Sequence, residues 1–215
     1  MLMLKPVSFL FCIAMISFAW ISCSSKAGEP KRRKPVKAAN GAGVSEEMFR
    51  KLKQHALPAA AFARKEHLNT RFCFLIDMSR PSGKNRFFVY NLEKDSVEMT
   101  GLVAHGRCNE DWLEGRRYSN VDGGGCTSLG RYKTGGSYNG QFGLAYKLYG
   151  LDATNSNAYA RFVVLHAYDC VPDVEVSPQD ICQSNGCPMV SPAFLKRLAA
   201  KLNLSARPVL LWIYE

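Results

Sequence analysis

Ala160-Arg161-Phe162-Val163-Val164-Leu165-His166-Ala167 reads as a strand, dense in β-branched and apolar residues, that carries a histidine near its end. Seventeen residues later comes Ser184-Asn185-Gly186-Cys187-Pro188, a turn that places a cysteine between Gly and Pro. The same strand texture recurs at residues 72–78, 86–92, 97–104, 144–148 and 208–214. Turn signals such as Pro81-Ser82-Gly83-Lys84-Asn85 and Gly123-Gly124-Gly125 separate these segments. Helix is predicted at the two ends of this array. Ser45 offers an N-cap with Glu46 and Glu47 in the first turn, and Met48, Phe49, Leu52 and Ala56 share one face. Pro58 restarts the helix toward His67. Residues 191–202 form the late helix, with Pro192 in its first turn and Phe194, Leu195, Leu198 and Leu202 on its apolar face. The fold expected is mainly β, a sandwich or partial barrel, with an N-terminal helical preface and one late helix.

With 215 residues, 47% hydrophobic and 21% charged, the chain holds one well-buried domain, which excludes wholesale disorder. Residues 7–21 form a 15-residue apolar run ending at Ser22-Cys23-Ser24-Ser25. The run is shorter than the roughly 20 residues that span a bilayer, so a removed export signal is expected over residues 1–22. Small residues around Cys23 fit a bacterial lipoprotein signal, cut just before a cysteine that takes the lipid; an ordinary signal peptide or an uncleaved anchor are the alternatives. Residues 23–44 read as a basic disordered tether, 45–68 as the helical preface and 69–215 as the main domain. The formal charge is +10, but residues 26–37 alone hold six basic residues and one Glu. About half of the basicity therefore sits in the tether, and nothing in the pattern points to nucleic acid.

A thiol attacks only as thiolate, so Cys187 needs a base, and His166 at a strand end can serve. Gly186 lets the backbone approach closely, and the Gly-Cys turn can aim N–H groups at a developing oxyanion. Ser184 can orient the imidazole or complete that hole. This pattern resembles the murein L,D-transpeptidase catalytic domain family (YkuD-like), in the branch whose motif runs Ser-x-Gly-Cys-Pro. Upstream agreement lies in Ile76-Asp77 before Ser79-Arg80-Pro81-Ser82, residues 86–92, Val103-Ala104-His105-Gly106, Ser119-Asn120, Ser128-Leu129-Gly130, Tyr138-Asn139-Gly140, Gly143, Gly150-Leu151 and Ala160-Arg161. The similarity covers roughly residues 75–192. It implies a β-rich fold with a cleft over the cysteine, and acyl transfer on peptidoglycan tetrapeptide stems. Cys187 would form the thioester and His166 would act as base and then acid. The N–H groups of Gly186 and Cys187 would be the oxyanion donors, with Ser184 in support. Ser128, Leu129, Gly130, Tyr138, Asn139, Arg161 and His105 would bind substrate. No cofactor is implied. The partners implied are peptide stems and, through a lipid on Cys23, the periplasmic face of a bacterial membrane, with the protein a monomer.

Two departures stand out. Many relatives carry Arg or Asn two residues after the nucleophile, where this chain has Met189, so the substrate carboxylate must be held elsewhere; Arg161 and Arg131 are candidates, or ordinary strand-end charges. The second departure is Cys170 and Cys182 between His166 and Ser184. With His166 and Cys187 they spell a Cys3His zinc set, which would make this a wall-binding scaffold. Export instead favours disulfides, with Cys170–Cys182 and Cys108–Cys126 the local pairs and Cys73 a buried thiol. An L,D-carboxypeptidase or endopeptidase using the same Cys-His site is the other alternative. Trp112 and Tyr118 would floor a groove or pack beneath the long loop.

Overall fold

All six residues of strand β1 (Phe72–Asp77) are buried. Phe72, Phe74 and Ile76 enter one apolar cluster, whereas Cys73 and Leu75 enter another on the opposite face. Burial on both faces is why this run shows no polar alternation. The structure, a computed structural model, describes residues 43–215; the leader, Cys23 and the basic tether lie outside the described residues.

The strands that follow are β2 (Phe87–Asn91), β3 (Ser96–Gly101), β4 (Gly130–Gly140), β5 (Gly143–Gly150), β6 (Val164–Ala167), β7 (Met189–Val190) and β8 (Leu210–Tyr214). They form one sheet in the order β3-β2-β1-β8-β4-β5-β6-β7. β1 runs parallel to β8, and β6 to β7; the other neighbours are antiparallel. Just beyond β3, the Ala104 N–H donates to the Met189 carbonyl on β7 at 2.8 Å. The two sheet edges therefore meet, and the sheet curls toward a barrel around the larger core. Helix α2 (Pro192–Asn203) enters that core through Phe194, Leu195, Leu198 and Ala199. Ser191 caps it by accepting the Phe194 N–H at 3.1 Å. The mainly β architecture with one early and one late helix is the one expected.

Helix α1 (Glu46–Lys65) covers the other face, with Phe49, Leu52, Ala56, Ala59 and Ala63 against Cys73, Leu75, Phe88, Tyr90 and Leu210. Ser45 is its N-cap, accepting from the Met48 N–H at 3.2 Å. The break expected at Pro58 does not occur. Pro58 is exposed, so the carbonyl it leaves unpaired lies on the solvent side, and burial of Ala56, Ala59 and Ala63 holds the helix straight through. Strand β6 is shorter than expected. Residues 158–163 coil into tight turns, with Phe162 N–H donating to Tyr159 at 3.1 Å and Val163 N–H to Ala158 at 2.9 Å.

Candidate active site

The nucleophile loop is fastened on three sides. Its first residue, Ser184, donates its N–H to the His105 carbonyl at 2.8 Å and accepts from the Arg107 N–H at 2.8 Å. The Ser184 hydroxyl accepts the Gly186 N–H at 3.1 Å and donates to the Cys187 carbonyl at 2.7 Å, closing the turn on itself. Thr127, fully buried, takes the Gly106 N–H at 2.9 Å and gives its hydroxyl hydrogen to the Gly186 carbonyl at 3.3 Å. Gly186 adopts φ +108°, and a Cβ there would lie 2.6 Å from the Cys126 carbonyl oxygen. Glycine is required by both strain and space.

This wiring corrects two sequence expectations. Ser184 is a brace of the loop, its hydroxyl bonded to Gly186 and Cys187 and not to the imidazole. The Gly186 N–H is turned onto Ser184, whereas the Cys187 N–H, on the nucleophile itself, has no protein acceptor among the described residues.

Cys187 is partly buried, level with Val164 on β6, whose N–H approaches Sγ at 3.4 Å. Burial pushes the thiol above its ordinary range, while the Val164 N–H and the Arg161 guanidinium act the other way. His166, two residues along β6, is held by the Ala167 carbonyl at Nδ1, 3.1 Å away. That carbonyl takes the Nδ1 hydrogen, which leaves Nε2 as a free acceptor. Burial lowers the imidazole pKa, and the Ala167 bond partly opposes this. At neutral pH the resting pair is accordingly thiol and neutral imidazole. Both side chains line a cleft of about 510 Å³, together with Arg107, Asp111, Trp112, Phe142, Tyr168 and the Cys170–Cys182 disulfide. Phe142, from the β4–β5 turn, stacks on the His166 ring with centroids 5.0 Å apart.

The remaining candidates scatter. His105 is 5% exposed; the buried Arg86 donates to its Nδ1 at 3.0 Å, and its Nε2–H donates to the Gly115 carbonyl at 3.1 Å. Burial and the guanidinium hold its pKa down to about 4. It lies off the cleft and cannot bind substrate while both nitrogens are engaged. Ser128 is buried and bonded to the Ser119 carbonyl and to Arg161. Leu129 packs on the main core, and Gly130 is closed in by Thr154 and Asn155. None of the three lines the cleft. Arg161 donates to the Ser119 carbonyl at 2.9 Å and the Cys126 carbonyl at 2.6 Å, tying the 158–163 turns to the segment that runs from Ser119 to Ser128. Arg131 pairs with Asp152 and lies over the Phe62 ring of α1 at 4.1 Å. Both guanidinium groups are thus engaged by protein partners. Tyr138 does border a pocket, of about 380 Å³, with Lys147, Tyr159, Phe162 and Val164; Asn139 is exposed on the same hairpin.

Both expected disulfides, Cys108–Cys126 and Cys170–Cys182, are formed, and Cys73 is a buried free thiol. The second bridge removes two ligands from the zinc set. Arg107 and Phe142 went unnoticed in the sequence, because a lone charge after Val-Ala-His-Gly and a lone aromatic in a hairpin turn carry no local signal. Among the described residues no helix is long and apolar enough to cross a membrane.

Fold and site together define a class: a curled β domain that presents one thiol and one imidazole in a common cleft. The chain belongs to the L,D-transpeptidase catalytic domain family, whose match runs over residues 43–214. That family works on peptidoglycan, which places its members at the cell wall and implies export. No curated protein sequence matches the chain. Among solved structures it is similar to the helical cell shape determining protein Pgp2 of Campylobacter jejuni, at 13% identity and a TM-score of 0.43, covering 67% of this chain and 47% of that one. It is also similar to the L,D-transpeptidase of Xylanimonas cellulosilytica (15% identity, TM-score 0.38, covering 66% and 60%). A third is the L,D-transpeptidase of Mycobacterium smegmatis (11%, 0.38, 67% and 59%). The chain spans about half of the Campylobacter protein's length.

Proposed function

We propose that this chain is a cysteine acyltransferase acting on peptidoglycan tetrapeptide stems. The observation that carries the reading is that His166 and Cys187 line one cleft, with the His166 Nδ1 tied to a backbone carbonyl and Nε2 free. His166 takes the Cys187 proton as Sγ adds to the carbonyl between the L-centre of the third residue and the terminal D-Ala. The Cys187 N–H stabilises the resulting oxyanion, a contribution of about 2.7–4 kcal/mol per donor in other acyl-transfer enzymes. The His166 imidazolium then protonates the leaving D-Ala nitrogen, and a thioester remains on Cys187. An amine of a second stem attacks that thioester, loses its proton to His166, and the thiol is regenerated.

The pocket of Tyr138, Lys147, Tyr159 and Phe162 supports transfer over hydrolysis. It adjoins Cys187 through Val164, and a second substrate needs a second binding surface, whereas water does not. Attachment to a membrane through a lipid on Cys23, with a monomeric domain beyond a basic tether, completes the proposal. Purified protein incubated with disaccharide tetrapeptide tests it by mass spectrometry. A 3-3 crosslinked dimer and loss of D-Ala are expected, both abolished by Cys187→Ala. A tripeptide as sole product would make the chain an L,D-carboxypeptidase, and no turnover would refute both.

A further inference from the structure

We propose that Arg107, held by Asn185, is the receptor for a substrate carboxylate. The assignment rests on the acyl-transfer reading for the identity of the substrate, and on the structure for the residue. Arg107 lines the cleft with Cys187. Its backbone N–H is bonded to the Ser184 carbonyl, and its Nε donates to the Asn185 Oδ1 at 3.0 Å. Two bonds to the nucleophile loop thus fix where the guanidinium sits. Its two terminal nitrogens meet no protein acceptor, and Arg107 enters no ion pair among the described residues.

The other arginines near the loop lack this freedom. Arg161 is bound by carbonyls and Ser128, Arg131 by Asp152, Arg116 by Glu215 and Arg117 by Glu110. Arg86 is sealed in the core on Val103, Arg80 and His105. Arg107 alone of these presents an open fork to the cleft, and a planar fork matches a carboxylate through two parallel bonds. Trp112, Phe142 and Tyr168 add apolar surface to the same cleft. Asp111 is the other charge on the wall. It disfavours an anion in the cleft, so a carboxylate is held there by the two parallel bonds of the fork. Asn185 is two residues before Cys187, so the fork lies within reach of groups next to the scissile carbonyl. Two carboxylates qualify: the terminal one of the leaving D-Ala, and the side-chain one of a third-residue diamino diacid.

The test uses the full chain carrying Cys187→Ala, with binding read by calorimetry. Three probes are compared: the tetrapeptide with both carboxylates free, its terminal carboxamide, and its third-residue side-chain carboxamide. Arg107→Gln is expected to weaken the free acid about 10- to 100-fold, the range of a charged hydrogen-bond pair. It should leave unchanged the probe whose amidation removed the bonded carboxylate, which names the source. Arg107→Lys should restore part of the affinity. Equal loss for all three probes, or no loss for the free acid, would overturn the assignment. Binding that follows this pattern without turnover by the native chain would defeat the acyl-transfer reading and leave Arg107 standing. Turnover with the carboxylate preference intact in Arg107→Gln would do the reverse, and failure of every probe to bind would overturn both.

Discussion

Acid should destabilise this domain through His105 before its carboxylates begin to titrate. The ring is neutral in the folded state, accepting from Arg86 at Nδ1 and donating from Nε2 to Gly115. Protonation would set an N–H against a guanidinium in a buried site. Its pKa is lowered from 6.5 to about 4. Between those values the unfolded chain binds more protons than the folded one, so stability is full above pH 6.5 and falls as pH drops. Linkage over this window gives a loss of about 2 kcal/mol between pH 7.5 and 5.0. His166 adds to the loss in the same direction. Urea unfolding of the oxidised protein at the two pH values, for the native chain and for His105→Gln, isolates the His105 share. Gln keeps one acceptor and one donor, so it should fold, and it should lose most of the slope. An identical slope in the two proteins would refute the argument. Ser184 hangs from the His105 carbonyl, so the reactivity of Cys187 should decline along with stability in the native chain.

Three further outcomes follow from the same geometry. Alkylation of Cys187 by iodoacetamide, followed by peptide mass, should have its pH midpoint above the ordinary 9.0 of a thiol, with Cys73 unlabelled in the folded protein; a midpoint near 5 would mean a resting thiolate–imidazolium pair instead. Gly186→Ala should keep the fold by circular dichroism yet form thioester at least tenfold more slowly, since φ +108° and the 2.6 Å approach to Cys126 both move the loop; native rates would show that the loop yields freely. Leu52→Ala, at a fully buried position of α1, should reduce unfolding free energy by about 2–5 kcal/mol in one cooperative urea transition, and a separate early transition would show α1 to be a detachable preface.

What the sequence made legible was local. Phe72–Asp77 announces a buried strand because both faces are apolar; Ser45 announces a helix start through a cap that acts within three residues, and Pro192 another through its place in the first turn; and the two disulfides join cysteines 18 and 12 residues apart. Strand β4 was missed for the opposite reason. Gly135, Gly136 and Gly140 give it little strand propensity, and it forms because β5 and β8 flank it with backbone partners. The site divides in the same way. His166 and Cys187 stand out as a spaced motif, but what steers the loop between them is non-local. Arg86 is buried without a carboxylate, satisfied by the carbonyls of Val103 and Arg80 and by the His105 ring. A charge so placed is tolerable only while each donor has its acceptor, which locks His105 into one tautomer and orients the backbone that carries Ser184. Through that chain the core fixes the position of a nucleophile a hundred residues further on. A single-sequence reading sees Arg86 as one more polar residue in a strand, because the histidine that gives it meaning reaches it only after the sheet has curled.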